Sequence, residues 1–115
     1  MTAPIDAARA AARVRGMGAR LESAAAEAVR QSAEAALSAA QSRAPVRTGR
    51  LRDSLSARAE GTAASVSTSC GYAAAVELGT SRQPARPFLF PAAQAQRLAL
   101  PALAAQLGRR AIEGN

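Results

Sequence analysis

The chain has 115 residues, a mass of 11.7 kDa and a formal charge of +7, with all 15 basic residues Arg, no His and no Lys. Those absences exclude a Ser-His-Asp triad, a Cys-His pair, a Schiff-base lysine, a Walker A lysine and a His-ligated zinc site. Hydrophobic residues reach 49%, yet aromatics are only 3% and Ala fills more than a quarter of the positions, so the core is thin for the length and burial against a partner subunit is expected.

From Pro4 to Arg43 the composition is Ala, Arg, Glu, Gln and Ser, all compatible with helix. Pro4 suits a first helical turn and Asp6 complements the helix dipole, while Gly16 and Gly18 interrupt the run. The expectation is a helical extension over 1–17, then a single domain over 18–115. That domain opens with a helix from about Gly18 to Ser42. In it Met17, Leu21, Ala25, Val29, Ala33 and Leu37 recur every four residues as one narrow apolar ridge. Glu27 and Arg30 sit at a contacting spacing on the solvated side. Pro45 biases Ala44 away from helix and ends the element.

Residues 44–50 read as a loop rich in Arg, after which the period becomes two. Leu51, Asp53, Leu55, Ala57 and Ala59 alternate with polar residues as far as Glu60, and Gly61-Thr62 supplies a turn. Ala64, Val66, Thr68 and Cys70 then alternate with Ser65, Ser67 and Ser69, so 51–70 is an antiparallel hairpin that must join a larger sheet or pack on the long helix. Tyr72–Leu78 allows two helical turns closed by Gly79. Thr80–Pro87 has two Pro, two Arg and no periodicity, and reads as an extended, exposed loop. Phe88 and Phe90 follow, Pro91 opens a second long helix, Pro101 kinks or restarts it, and Gly108 closes it. The fold class is α+β.

Little in this pattern supports catalysis. Gly16-Met17-Gly18 has no preceding strand and is better read as a helix break than a phosphate loop. Ser65, Ser67 and Ser69 have no base to activate them, and lone Cys70 reads as a small buried residue. Asp53 and Glu77 would form an acid pair only through the tertiary fold. No enzyme, cofactor or metal is expected. The N-terminal residues lack the basic start and apolar run of a signal peptide, and no stretch of about 20 apolar residues suggests a membrane span; a soluble, cytoplasmic protein is expected. The Arg clusters, Arg43–Arg52 and Arg82–Arg86, are first of all solvated loops, then candidates for docking on a neighbouring subunit, then for DNA contact. No aromatics interleave with them, which disfavours a single-strand platform.

Three segments together resemble a known family. Ala44-Pro45-Val46-Arg47-Thr48-Gly49-Arg50-Leu51-Arg52-Asp53-Ser54-Leu55, then Tyr72-Ala73-Ala74-Ala75-Val76-Glu77-Leu78-Gly79-Thr80, then Pro87-Phe88-Leu89-Phe90-Pro91-Ala92 resemble, in order and spacing, motif blocks of tailed-bacteriophage neck, tail-completion and tail-component proteins. Arg47 stands where that family often has Asp, and Phe90 where it often has Arg. The resemblance implies a non-enzymatic virion protein of the head–tail junction. It would be a tail-completion or tail-terminator-type homo-oligomeric ring, expected to be a hexamer. Its partners would be adjoining neck and tail-tube proteins, with DNA passing through the channel and no membrane. In such a ring Arg82, Arg86, Phe88 and Phe90 are the expected subunit contacts. Arg47, Arg50 and Arg52 would dock on adjoining rings or line the channel, and Tyr72, Glu77, Gly79 and Thr80 would position the loop. The alternative function is a small basic double-stranded-DNA-binding protein.

Overall fold

A computed structural model of the chain describes residues 1–5, 18–46 and 49–113. Among them are strand β1 (Thr2–Ile5), helix α1 (Ala19–Arg43), a four-residue helix α2 (Arg50–Asp53), strands β2 (Leu55–Glu60) and β3 (Ala63–Thr68), short helix α3 (Ala73–Leu78) and long helix α4 (Phe90–Glu113). The α+β expectation holds: a three-stranded antiparallel sheet, two long helices and two short ones.

The hairpin forms as its pattern requires. Glu60 faces Ala63 across the two-residue turn, and Gly61 alone takes a positive φ of 58° there, the arrangement of a II′ turn. Ala64, Val66 and Thr68 turn inward and the intervening Ser residues stay wetter. The third strand was not anticipated. Residues 2–5, expected to begin a helix, pair antiparallel with β3, giving the order β1-β3-β2, with Ala3 opposite Val66 and Val66 opposite Ala57. The Met1 carbonyl accepts the Thr68 N–H at 2.9 Å. Pro4 lacks an N–H, but it lies on an edge strand, where the ladder does not need that donor. Residues 1–5 are therefore part of the domain, and the rest of the expected helical extension, 6–17, lies outside the described residues.

Helix α1 matches its expected span within a residue. It packs against α4 on one side and against β2 and β3 on the other, and that double contact widens the expected ridge. Leu21, Ala25, Val29 and Ala33 are buried as anticipated, and so is a second row, Ala24, Ala28, Ser32, Ala36 and Ala40. A helix with a neighbour on two sides must bury both rows, and Ala lets those neighbours approach closely. Eleven of the eighteen residues in the described core are Ala, so few side chains supply the large burial terms of about 1.5–3 kcal/mol each. Phe88, Leu51, Leu89, Leu100, Val29 and Val66 are the large, fully enclosed ones. Ser32 is buried with no hydrogen-bond partner for its hydroxyl. On the solvated face the Arg30 Nε donates to Glu27 at 3.0 Å and Gln31 Nε2 donates to the other Glu27 oxygen at 3.1 Å. These bonds, the Arg30 one foremost, hold the Glu27 carboxyl below its ordinary range.

Two further expectations fail locally. The alternation from Leu51 does not begin a strand: Arg50–Asp53 coil into α2 behind Gly49, whose φ of 80° is left-handed, and β2 starts only at Leu55. Leu51 is still only 1% exposed, because a single helical turn also directs one residue in four to the core. Helix α4 continues through Pro101 and past Gly108 to Glu113. Pro101 is exposed, so the Arg97 carbonyl that loses its partner can be met by water. Gly108 is buried inside the helix rather than closing it.

Candidate functional site

The segments that carry the resemblance meet around α3. At the end of β3 the backbone turns, and the Ala73 N–H bonds the Cys70 carbonyl at 3.2 Å to start the helix. Cys70 itself is half-buried against the core, more open than expected. A short hydroxyl chain ties this corner to α2. The Ser54 hydroxyl donates to the Leu51 carbonyl at 2.6 Å, so its proton is committed. Thr68 must then donate to Ser54, 2.5 Å away, and its oxygen accepts the Cys70 N–H at 3.1 Å. The start of β2 and the end of β3 are thereby locked together, and with them the first two motif blocks.

Glu77 on α3 is 6% exposed. A buried carboxylate needs donors, and three backbone N–H groups supply them: Phe88 at 3.1 Å and Leu89 at 2.9 Å to Oε1, and Phe90 at 3.2 Å to Oε2. Those amides belong to the entry of α4, where the first N–H groups of a helix have no intrahelical acceptor and the dipole favours negative charge. A carboxylate supplied from another element thus does the work of a helix cap. It also joins the second motif block to the third across 11 to 13 residues.

The chain between them is bent back on itself. Gly79 ends α3 with φ 79°, and a Cβ there would lie 2.7 Å from the Ala85 nitrogen, so only Gly fits. Thr80 closes a tight turn: its N–H donates to the Gln83 carbonyl at 2.9 Å, and its Oγ1 accepts the Arg82 and Gln83 N–H groups at 3.2 and 3.1 Å. The Arg86 N–H returns to the Val76 carbonyl at 2.8 Å. Residues 80–87 are all exposed, as expected, but they are folded and pinned rather than extended. Tyr72, at the mouth of α3, is 42% exposed and gives its carbonyl to the Val76 N–H at 3.2 Å.

These elements enclose an open cleft of about 850 Å³. The segment before β2 supplies Pro45, Val46, Arg50 and Leu51. Helix α3 supplies Tyr72, Ala75 and Val76, and the bent loop supplies Gln83, Pro84 and Arg86. The lining holds two guanidinium groups and no carboxylate.

The candidate residues fall into distinct groups. Phe88 is fully buried in its own subunit's core, so it offers no surface to a neighbour; Phe90, 64% exposed, does. Arg82 and Arg86 are exposed on the bent loop, and only Arg86 lines the cleft. Arg50 lines it from the other side, while Arg52 lies 3.7 Å from Asp53 with both side chains largely in water. Arg47 lies outside the described residues. Glu77, Gly79 and Thr80 make contacts that fold the loop, whereas Tyr72 bonds within the first turn of α3 and lines the cleft. Sequence reasoning placed Glu77 in a motif but missed its role as the cap of α4, because its three donors lie beyond a Pro-rich loop. Among the described residues no group of His, Cys, Asp or Glu is arranged to hold a metal, and no helix is long and apolar enough to cross a membrane.

The site is thus an open cleft held in shape by backbone hydrogen bonds. Residues 8–79 match the family described as Bacteriophage HK97-gp10, putative tail-component. The match spans more than half of the chain, and the chain belongs to this family of phage structural tail components. It takes in the first motif block and all of the second but Thr80, stopping at Gly79; the third block is joined to them through Glu77. No curated protein and no solved structure matched.

Proposed function

We propose that this tail component works at the head–tail junction as a homo-oligomeric ring, a hexamer, that completes the tail and joins it to the neck. The observation that carries this reading is the meeting of the first two motif blocks, which lie almost wholly within the family match, around one exposed cleft. The remaining surface supports it. Leu78, Phe90, Leu98 and Ile112 are 76, 64, 72 and 53% exposed, and Leu78 and Phe90 both border the Glu77 carboxylate, Leu78 as its chain neighbour and Phe90 through its N–H. An Ala-rich core that leaves large apolar side chains in water suits a subunit that buries them against copies of itself. A ring requires two different faces that meet heterologously and close. In it Arg82 and Phe90 contact the next subunit, and Arg50 and Arg52 face an adjoining ring or the channel.

Light scattering on the purified chain tests this at low salt and at about 0.5 M salt, where charge contacts are screened. A mass of six subunits that persists at high salt is expected, with six-fold rings in negative stain. A monomer at every salt and protein concentration would refute self-assembly. A small basic DNA-binding protein would instead bind duplex with an affinity that falls steeply as salt rises, by about 0.9 log units per log unit of salt for each phosphate neutralised.

A further inference from the structure

The cleft lined by Pro45, Val46, Arg50 and Leu51, α3 and the bent loop combines two features that select a partner. Its walls are mostly apolar, with Val46 60% exposed and Tyr72 42% exposed, and Val76 and Pro45 half-buried behind them. Its charge is entirely positive, from Arg50 and Arg86, with no Asp or Glu in the lining. Arg86 makes no ion pair with a described residue, and its place is set by its own backbone, whose N–H is held by the Val76 carbonyl at 2.8 Å. The cleft is thus preformed independently of the guanidinium, and its volume of about 850 Å³ falls among binding pockets.

We infer that this cleft is a receptor for a short acidic peptide segment of a neighbouring particle protein, with an Asp or Glu carboxylate taken by Arg86 and flanking apolar side chains laid on Val46, Tyr72 and Pro84. This deepens the proposed function and rests on the reading that the chain docks to other proteins. A guanidinium fork matches a carboxylate bidentately, and an apolar wall gains only from an apolar partner. A phosphodiester backbone answers the arginines but leaves the apolar walls unused. The competing occupant is a second copy of this chain, in which Glu113 follows the half-exposed Ile112.

The test uses the full chain and fluorescence anisotropy with a labelled octapeptide alternating Asp and Leu. A Lys-Leu octapeptide and an Asp-Ser octapeptide are the controls, and unlabelled duplex DNA is the competitor. The Asp-Leu peptide alone should bind, and Arg86→Gln should weaken it about tenfold or more, the scale of one lost charge-assisted hydrogen bond. Val46→Asp should weaken it similarly, and neither exposed substitution should lower the melting temperature. Failure of the Asp-Leu peptide to bind, or equal binding by Arg86→Gln, overturns the proposal. Displacement by DNA with the same dependence on Arg86 overturns it in favour of nucleic acid. Light scattering on the same samples separates this result from that of the ring: a monomer that binds the peptide refutes the ring and keeps the receptor. A ring that dissociates on Arg86→Gln makes the occupant a second copy and refutes the present assignment.

Discussion

Replacing Glu77 by Ala should be the most damaging single polar substitution in the described chain. The carboxylate accepts three backbone N–H groups, of which those of Phe88 and Leu89 are buried and that of Phe90 is partly buried. Each buried donor left without an acceptor costs about 1–3 kcal/mol, and the partly buried one regains some of that from water. Loss of the negative charge at the entry of α4 removes a further ~0.5–1 kcal/mol. The expected destabilisation is therefore about 3–5 kcal/mol, a large share of the roughly 5–15 kcal/mol that holds a domain of this kind together. Glu77→Gln separates the contributions. Its oxygen can still serve Phe88 and Leu89, while its amide meets the Phe90 N–H donor to donor, so about half the effect is expected, roughly 1.5–2.5 kcal/mol. Urea unfolding followed by far-UV circular dichroism, at one protein concentration for all variants, measures both. Amide hydrogen exchange at Phe88, Leu89 and Phe90 should accelerate in each. An Ala variant within about 0.5 kcal/mol of the parent, the range of neutral surface changes, would refute the capping argument. So would equal effects of Ala and Gln.

Gly79→Ala forces a Cβ to 2.7 Å from the Ala85 backbone at a φ of 79°, so a loss of about 2–3 kcal/mol and displacement of the 80–87 turn are expected; unchanged amide shifts from Thr80 to Arg86 would contradict it. Phe88→Ala should cost about 3–5 kcal/mol of subunit stability through the cavity it leaves. Phe90→Ala should cost under about 0.5 kcal/mol in the subunit, yet lower the assembled mass seen by light scattering; the reverse ranking in chemical denaturation would undo the core assignment. For Glu27 the sign follows from its lowered pKa: the Arg30 contact stabilises above the unfolded-state value of about 4.3 and is lost as pH falls through the lower folded value. The small melting-temperature gap between parent and Glu27→Gln should be present at neutral pH and close in acid. A gap independent of pH would exclude that ion pair as its source.

Features that rest on neighbours along the chain were legible before any fold was known. The span of α1 follows from its composition and from Pro45, the hairpin turn from Gly61-Thr62, the stop of α3 from Gly79, and the family from short motifs whose order and spacing are themselves local. The tertiary structure decided everything that depends on a distant partner. Strand β1 exists because the open edge of β3, more than sixty residues away, supplies the hydrogen bonds that four residues with a Pro cannot supply for themselves. Leu51 satisfied a strand pattern and a helical turn equally, and a left-handed Gly49 with the Ser54–Thr68 hydroxyl chain selected the turn. The second buried row of α1 was hidden because Ala has almost no hydropathy of its own to announce a face, and only packing on two sides buried it. The cleft needed all of this at once. Its arginines and apolar residues are scattered over 45–86, and they share a surface because Glu77 can reach three amides beyond a loop whose length and bend no local rule specifies.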